Sequence, residues 1–361
     1  MLNWFVKKAV GLDVSDRSIE ILELSRWGRR LTVSAAGRAL LPAGAVIAGR
    51  IKDSKKLAAT LAAARHGAAP RPITARAINF ALPEALVYFH AVTILAEQQK
   101  NSSLATVARE QVERNFPVLS KDLVWAHRAI LAGPGGTHLA LAATSRPAAA
   151  EWHDFLRSQN LILNSFDLET VALARGLELS RDLKRKTRVL VDVGAATIMI
   201  AVFGEVGPLY SYQLQWGSEK LTREIATTFQ LGRTADEEQK IKLGLSSTEP
   251  SLSLLLTRLL EPLLVELGET IKFIDQKFNQ PIIEIVLAGG GGRLIGLPDY
   301  LNRNLHLPVR SAGLPAEIMV HRQLDSLMRG EQGLFVEAFG LARRGLELAA
   351  FERDLSLPVN F

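Results

Sequence analysis

The 361-residue chain contains no cysteine, so it can form neither a disulfide nor a thiolate metal site. No stretch reaches the roughly 18 uninterrupted apolar residues that a membrane-spanning helix needs. The opening, MLNWFVKKAV, places its apolar residues before its lysines, the reverse of a secretory signal. These absences predict a cytosolic protein. The first eight residues are interpreted as a lead-in to a strand. The alternative is contact with a membrane surface through Trp4, Phe5, Lys7 and Lys8.

The signatures of several enzyme and binding classes are also missing. The seven histidines include no His-x-x-x-His pair, which excludes the commonest helical zinc motif. There is no G-x-S-x-G elbow and no G-x-x-x-x-G-K-[ST] loop. The basic residues are dispersed and lack the interleaved aromatics of a single-strand nucleic-acid groove, so no nucleic-acid partner is predicted.

What is present is the composition of a globular protein. Apolar residues make up 48% of the chain and charged residues 22%, so a large core can form. The net charge is +6. This modest excess favours anionic partners, but it fits an ordinary basic protein equally well.

Two distant segments share one pattern. Residues 11–24 read GLDVSDRSIEILEL and residues 190–203 read LVDVGAATIMIAVF. Aligning Asp13 with Asp192 gives D-V-x-x-x-[ST]-I in both. Each segment predicts two strands joined by a tip of small or polar residues. Because the pattern occurs twice, far apart, it indicates a duplicated unit.

The order of elements supports that duplication. The first cycle predicts a strand meander at 9–41, helices at 52–67, 102–116 and 148–161, and strands at 73–82 and 91–96, with a strand pair around the turn AGPGG. The second cycle starts near Thr187 with the hairpin, then strand PLYSYQLQWG, helix SEKLTREIATTFQLG, a helix at 234–244 and a long helix at 251–278. Pro262 is expected to kink or divide that long helix.

The hairpin tips have a chemical interpretation. Small residues let the main chain approach a phosphate, and exposed N–H groups bind it. An aspartate cannot bind phosphate directly, but it can hold Mg²⁺ through water. Two such hairpins therefore predict a pair of clamps on one polyphosphate.

With these motifs, the chain resembles the actin-like ATPase superfamily and, within it, the PilM family of type IV pilus assembly proteins. The segments that carry the resemblance, besides the two hairpins, are WGSEKLTREIA, EEQKIKLG, IVLAGGGGRLIGLPDYL, FDLETVALAR and FVEAFGLARR. The resemblance implies an α/β actin-like ATPase fold, with two duplicated α/β halves around a nucleotide cleft and a small inserted α+β subdomain in the first half. It places the first half at 1–72 and 146–186, the insertion at 73–145, the second half at 187 to about 345, and a C-terminal tail at 346–361.

The resemblance also implies a site for ATP and Mg. Magnesium is expected on Asp13 and Asp192 through water, and Asp167 and Glu169 are the catalytic candidates for activating water. The expected cofactor-binding residues are Asp13, Ser15, Ser18, Asp192, Gly194, Ala195, Ala196, Thr197, Gly217, Thr222, Gln239, Lys242, Gly289, Gly290, Gly291 and Gly292.

The first phosphate loop departs from the family pattern. Ser15 stands where glycine is usual, and Asp16 adds a negative charge beside the expected phosphate. We therefore predict ATP binding with weak or absent hydrolysis. Replacing Ser15 with Gly and Asp16 with Ser is expected to raise nucleotide affinity.

For partners, the resemblance implies a cytoplasmic component peripheral to the inner membrane. It would bind the N-terminal cytoplasmic peptide of a PilN-like membrane protein, of Asn-Leu-Leu-Pro type, in a groove between the first subdomain and the insertion. A pilus motor ATPase, platform proteins and a second copy are further candidates. The ending, SLPVNF, is similar enough to that peptide to suggest that residues 356–361 occupy such a groove. The alternative is a frayed terminus.

Three other functions stay open. The first is a small-molecule kinase of the same superfamily, which would require a catalytic aspartate in the first half. The second is an FtsA-like division filament protein, which would require a C-terminal amphipathic anchor. The third is the cytoplasmic domain of a type II secretion protein.

Overall fold

The computed structural model describes residues 6–95, 97, 103–117, 119–133, 136–181, 183–205, 207–229, 244–246, 250–346 and 355–359. The chain forms two compact units. Unit 1 comprises Met1–Leu179, Val206–Tyr210 and Gly313–Phe361, and unit 2 comprises Ser180–Glu205 and Ser211–Ala312. Across the described residues, no helix has the length and apolar character needed to cross a bilayer.

The strands are β1 (Lys7–Val14), β2 (Ser18–Trp27), β3 (Arg30–Leu40), β4 (Val46–Ile47), β5 (Arg50–Ile51), β6 (Ala77–Leu82), β7 (Val87–Ile94), β8 (Leu123–Gly133), β9 (Gly136–Ser145), β10 (Ile162–Leu168), β11 (Thr187–Val193), β12 (Ile198–Gly204), β13 (Gly207–Leu214), β14 (Ile282–Ala288), β15 (Val309–Ser311) and β16 (Met319–Val320). The helices are α1 (Ser54–His66), α2 (Leu104–Asn115), α3 (Arg146–Ser158), α4 (Glu169–Gly176), α5 (Ser218–Phe229), α6 (Pro250–Phe278), α7 (Leu297–Leu305), α8 (Asp325–Met328) and α9 (Val336–Leu346).

Unit 1 is built on a six-stranded sheet with the order β10-β6-β1-β2-β3-β16. The predicted meander is confirmed, since β1, β2 and β3 pair antiparallel in sequence order. Strand β6 then pairs parallel with β1, and β10 pairs parallel with β6. Strand β2 is buried on both faces from Ser18 to Leu24, and the two glutamates in this stretch are paired with arginines, Glu20 with Arg38 and Glu23 with Arg71.

The second sheet repeats this order. Its five strands run β13-β12-β11-β14-β15, with β11 and β12 antiparallel and β14 parallel to β11. In both sheets the first strand of the meander lies beside the first parallel strand, and a second parallel strand follows. The duplication predicted from the two aspartate hairpins is therefore present in the topology.

A small three-stranded sheet, β7-β9-β8, forms the inserted body. Helix α2 covers one face of it through Val107, Ala108 and Val112. The predicted insertion began at 73, but β6 belongs to the large sheet because its backbone pairs with β1 and β10. The separate sheet therefore starts only at Val87.

Helix α9 packs in unit 1, against β1, β2 and α4. Glycines make the contact close: a Cβ on Gly11 would lie 1.9 Å from the Ala338 carbonyl oxygen, and one on Gly340 would lie 1.9 Å from that of Ala172. The sequence prediction had placed this helix with the second half. Its backbone-to-backbone contacts place it on the first sheet instead.

The helix ends follow local capping rules. Asp53, Ser103 and Ser145 each accept a hydrogen bond from the backbone of the first turn of α1, α2 and α3. Helix α6 continues through Pro262 without a break. Of the helix predicted at 234–244, residues 234–243 lie outside the described residues.

The C-terminal segment lies on the outer edge of the unit 1 sheet. Leu357 forms an antiparallel bridge with Phe166 of β10, donating its N–H to the Phe166 carbonyl at 3.0 Å. Leu355 and Leu357 are buried, and the Arg344 guanidinium donates to the Ser356 hydroxyl at 2.8 Å. The described part of the tail is thus docked against its own chain.

Candidate functional site

The tip of the β11–β12 hairpin is joined to the start of α5. The Gly194 N–H donates to the Thr197 carbonyl at 3.0 Å, which closes the turn. The N–H groups of Ser218 and Glu219 donate to the carbonyls of Gly194 and Ala195. The turn and the helix N-terminus are therefore joined into one backbone surface by main-chain hydrogen bonds.

Gly217 is required at this junction. A Cβ there would lie 2.5 Å from the Ala195 carbonyl oxygen. The glycine predicted from the motif WGSEKL thus has a steric reason within unit 2.

The glycine run after β14 lies beside the same hairpin. Gly289 has a φ of +73°, and a Cβ on it would lie 2.3 Å from an Asp192 carboxylate oxygen. A Cβ on Gly291 would lie 2.5 Å from the Val193 side chain. These two glycines allow the loop to pack against the end of β11.

Gly290 differs from its neighbours. Its φ of −62° and ψ of −39° suit any residue, and a Cβ on it would meet nothing within 4 Å. A Cβ on Gly292 would make only ordinary van der Waals contact, with Leu287. Gly290 therefore exposes its backbone to open space at the carboxyl end of the sheet, where ligands bind in α/β folds.

Asp192 is the acidic group of this surface. Its Cα pairs with Ala288 in the parallel register between β11 and β14. Burial of its carboxyl group among protein atoms raises the pKa of Asp192 to about 6, although part of the residue stays exposed. A bound cation would offset the cost of ionising it.

The first hairpin tip, in unit 1, is closed by its own serine. The Ser15 hydroxyl accepts from the N–H groups of Arg17 and Ser18, at 3.3 and 3.0 Å. The Asp16 carboxylate accepts from the N–H groups of Ala48 and Gly49. Asp16 therefore anchors the turn between β4 and β5, a contact that the sequence did not indicate.

Three carboxylates converge in unit 1. Oxygens of Asp13, Glu169 and Glu337 all lie within 4.8 Å of one another. They come from the end of β1 and from the first turns of α4 and α9. Oxygen ligands at this spacing suit a hard divalent cation. Sequence reasoning missed Glu337, and its signal was a lone acidic residue in the apolar segment FVEAFGLA.

Asp167 is engaged in a buried ion-pair network. Its carboxylate accepts from Arg175 at 2.7 Å and from Arg344 at 3.4 Å. Arg175 also donates to the Gly340 carbonyl at 3.1 Å. These bonds tie α4 to α9 and favour a structural role. The catalytic role stays a prediction.

The remaining predicted residues are distributed as follows. The Ser18 hydroxyl donates to Glu20 at 3.2 Å, and the Thr222 hydroxyl donates to the Ser218 carbonyl of its own helix. Ala196 is exposed at the hairpin tip. Gln239 and Lys242 lie outside the described residues.

Chemically, unit 2 offers an open backbone at Gly290 and one carboxylate, and unit 1 offers a carboxylate cluster. Glycine loops at strand ends suit phosphate groups. Clustered carboxylates suit the magnesium ion that accompanies polyphosphates. The glycine loop and Asp192 of unit 2 are therefore chemically suited to phosphate and a cation, and the three carboxylates of unit 1 are suited to a divalent cation.

Known structures share this architecture. The PilM-PilN type IV pilus biogenesis complex matches with a TM-score of 0.78 and 20% identity, covering 94% of this chain and 98% of that one. The ethanolamine utilization protein EutJ from Carboxydothermus hydrogenoformans matches with a TM-score of 0.57 and 16% identity, over 93% and 89%. MreB5 of Spiroplasma citri bound to AMPPNP matches with a TM-score of 0.50 and 12% identity, over 95% and 99%. The expected actin-like fold is thereby confirmed.

A family model gives the narrower assignment. The model for type IV pilus assembly protein PilM matches residues 11–346, nearly the whole chain. That span includes both aspartate hairpins, the glycine run and helix α9. The chain belongs to the PilM family of type IV pilus assembly proteins.

Proposed function

We propose that this chain is a magnesium-dependent ATP-binding scaffold of the type IV pilus assembly machinery. The observation that carries the proposal is the backbone surface of unit 2, where a Cβ on Gly217, Gly289 or Gly291 would lie 2.5 Å or less from a neighbouring atom. Gly290 faces the space left open. A main chain arranged in this way favours a ligand that is recognised by close backbone approach.

Magnesium would be held by carboxylates already in place. In unit 2 the candidate is Asp192, whose ionised form is costly without a cation. In unit 1 the candidates are Asp13, Glu169 and Glu337. The magnesium ion would neutralise phosphate charge, and these carboxylates would position the ion.

Gly290 gives a sharp test of nucleotide binding. Its backbone angles accept any residue and its Cβ direction is empty, so Gly290→Leu should fold normally while filling the approach to the loop. We expect at least a tenfold loss of affinity for a fluorescent ATP analogue in the presence of Mg²⁺. Gly313→Leu is the matched control, because a Cβ on Gly313 also meets nothing within 4 Å. Equal ATP binding by wild type and Gly290→Leu would refute the assignment.

We expect ATP turnover far below the roughly 10 s⁻¹ that is typical of enzymes. The reason is the first hairpin tip, where the Ser15 hydroxyl accepts hydrogen bonds from the N–H groups of Arg17 and Ser18, so that these groups are not available to phosphate.

Ser15→Gly should release both N–H groups and raise nucleotide affinity. The single variant is preferred, because Asp16 anchors Ala48 and Gly49. Phosphate-release assays and calorimetry measure the two quantities, and unchanged affinity would show that Ser15 does not limit binding.

We further propose a PilN-like inner-membrane protein as partner, which would make the chain a cytoplasmic component peripheral to that membrane. The structure matched at TM-score 0.78 is a PilM-PilN complex. Support from this chain comes from unit 1, where the edge of β10 holds an extended apolar segment through Leu357. An extended peptide binds in the same way, by backbone pairing and side-chain burial.

Calorimetry with an Asn-Leu-Leu-Pro-type peptide tests this partner. We expect saturable binding by the folded protein, with a scrambled peptide as the control. Absence of binding to a folded sample would refute the partner and leave the nucleotide proposal standing, since the two use different residues.

A further inference from the structure

The hairpin between β2 and β3 carries an unusual concentration of cations. Its tip reads RWGRR, Arg26 to Arg30, and turns at Gly28, whose φ is +61°. From Leu24 to Lys52 the sequence contains no acidic residue, and from Met1 to Leu12 it contains none either. The tip and the chain segments next to it therefore carry basic residues without acidic ones.

The fold adds two lysines to this tip. Lys7 pairs directly with Arg26, and Lys8 pairs with Ser25, in the antiparallel register of β1 and β2. Facing residues in such a pair have their Cβ atoms about 5 Å apart, and like charges there destabilise the sheet. Lys7 and Arg26 thus cost stability, which favours a role for them outside folding.

The side chains of the tip point to both faces of the hairpin. By strand alternation, Lys7 and Arg26 lie on one face, and Lys8, Trp27 and Arg30 lie on the other. Trp27 is 56% exposed, and Arg29 and Arg30 are also exposed. An exposed indole among arginines is typical of surfaces that meet lipid headgroups.

Acidic groups near the tip do not cancel its charge. Glu23 is buried and pairs with Lys8 at 3.3 Å and with Arg71. Glu317 lies two positions before Met319, which pairs with Thr32 of β3. Lys7, Arg26, Arg29 and Arg30 therefore leave the region strongly positive.

We propose that this basic tip, Lys7–Lys8 with Arg26–Arg30, docks on an anionic phospholipid surface. The cations bind headgroup phosphates, and Trp27 inserts at the boundary between headgroups and acyl chains. Membrane contact of this kind requires neither nucleotide nor a protein partner.

Vesicle co-sedimentation of the full chain tests the proposal. The probe is phosphatidylcholine vesicles with about 30% phosphatidylglycerol. Each cation near an anionic surface strengthens binding about fivefold, so the triple variant Arg26→Gln, Arg29→Gln, Arg30→Gln should bind about a hundredfold more weakly. Trp27→Ser should weaken binding without changing its dependence on salt, because it removes no charge.

The matched control is Lys184→Gln, Arg185→Gln, Lys186→Gln, which removes the same charge from three exposed residues of unit 2. It should bind vesicles within about fivefold of wild type, the effect of one cation. Equal loss in the two triple variants would overturn the proposal, since net charge alone would then explain binding. Binding to purely neutral vesicles at wild-type strength would overturn it as well. So would binding of the tip to DNA or heparin but not to vesicles. Circular dichroism and thermal melting confirm that the variants fold.

Discussion

At the scale of single residues, the buried carboxylates of the candidate site lower the stability of the fold unless a ligand or a partner residue compensates their charge. Asp192 has a carboxyl group surrounded by protein atoms, and this burial raises its pKa to about 6. Asp167, in contrast, is fully buried but compensated by Arg175 and Arg344. Buried carboxylates with these two kinds of surroundings should respond differently to substitution.

Asp192→Asn should stabilise the ligand-free protein at neutral pH. The folded-state pKa is raised from 3.8 to about 6, so the native state binds the proton more tightly than the unfolded state. Stability therefore falls as pH rises through that window, by about 1–3 kcal/mol. The amide lacks this penalty. Chemical denaturation should show the variant more stable than wild type at pH 7.5, with the advantage vanishing near pH 4. Asp275→Asn, at an exposed site, is the control, and a pH-independent difference at Asp192 would contradict the prediction.

Asp167→Asn should have the opposite effect. It leaves Arg175, whose side chain is 1% exposed, without its carboxylate. Breaking a buried ion pair costs about 3–5 kcal/mol, and denaturant titration measures it. Glu178→Gln removes the half-buried partner of Arg343 and should cost less than about 1 kcal/mol. Similar losses of stability in both variants would show that the Asp167 network contributes no more to stability than the Glu178–Arg343 pair.

At the scale of elements, close helix packing in unit 1 depends on glycine. Helices α4 and α9 meet through Gly340, and α9 meets β1 through Gly11. In both places the atom that a Cβ would meet is a backbone carbonyl oxygen, which cannot rotate away as a side chain does. The contact also brings Glu337 to Asp13 and Glu169.

Two glycine-to-alanine changes in helices should therefore have opposite signs. Gly268→Ala in α6 meets nothing within 4 Å and should stabilise the protein by about 1 kcal/mol, since alanine favours the helix. Gly340→Ala has the same helix preference, but its Cβ would lie 1.9 Å from the Ala172 oxygen. We expect it to lower the melting temperature by several degrees. A stabilised Gly340→Ala would mean that α4 and α9 can separate without cost.

At the scale of the whole molecule, the C-terminal tail occupies the β10 edge of its own chain, where an added peptide could also bind. The tail buries Leu355 and Leu357 and bonds to Phe166 and Arg344. Because it is tethered, its effective concentration is high, and a weak contact can compete with an added peptide. The sequence suggested that residues 356–361 occupy a peptide groove. The structure shows Leu357 on the β10 edge of its own chain, and occupation of the groove stays a prediction.

Deleting residues 356–361 should tighten binding of a PilN-like peptide, if that peptide uses the edge of β10. Calorimetry on the full-length and truncated proteins measures the change, and Pro358→Ala, at an exposed position, is the control. Truncation should also lower stability, because Leu357 no longer covers the edge. Lower stability with unchanged peptide affinity would leave the tail as a structural strap only.

The sequence determined what depends on local pattern. The aspartate hairpins at Asp13 and Asp192, the helix caps and the repeated strand order follow from alternation, turn residues and capping side chains, which act within a few positions. The glycine run after β14 was likewise visible, since backbone approach requires glycine wherever it occurs.

The tertiary structure alone decided which distant residues meet. Glu337 joins Asp13 and Glu169, Asp16 binds the turn at Ala48, and α9 packs with the first sheet. Each contact joins segments far apart in the chain, and their pairing depends on the register and packing of entire strands and helices. A local sequence pattern carries no information on which distant segments meet, so these contacts could be identified only in the folded chain.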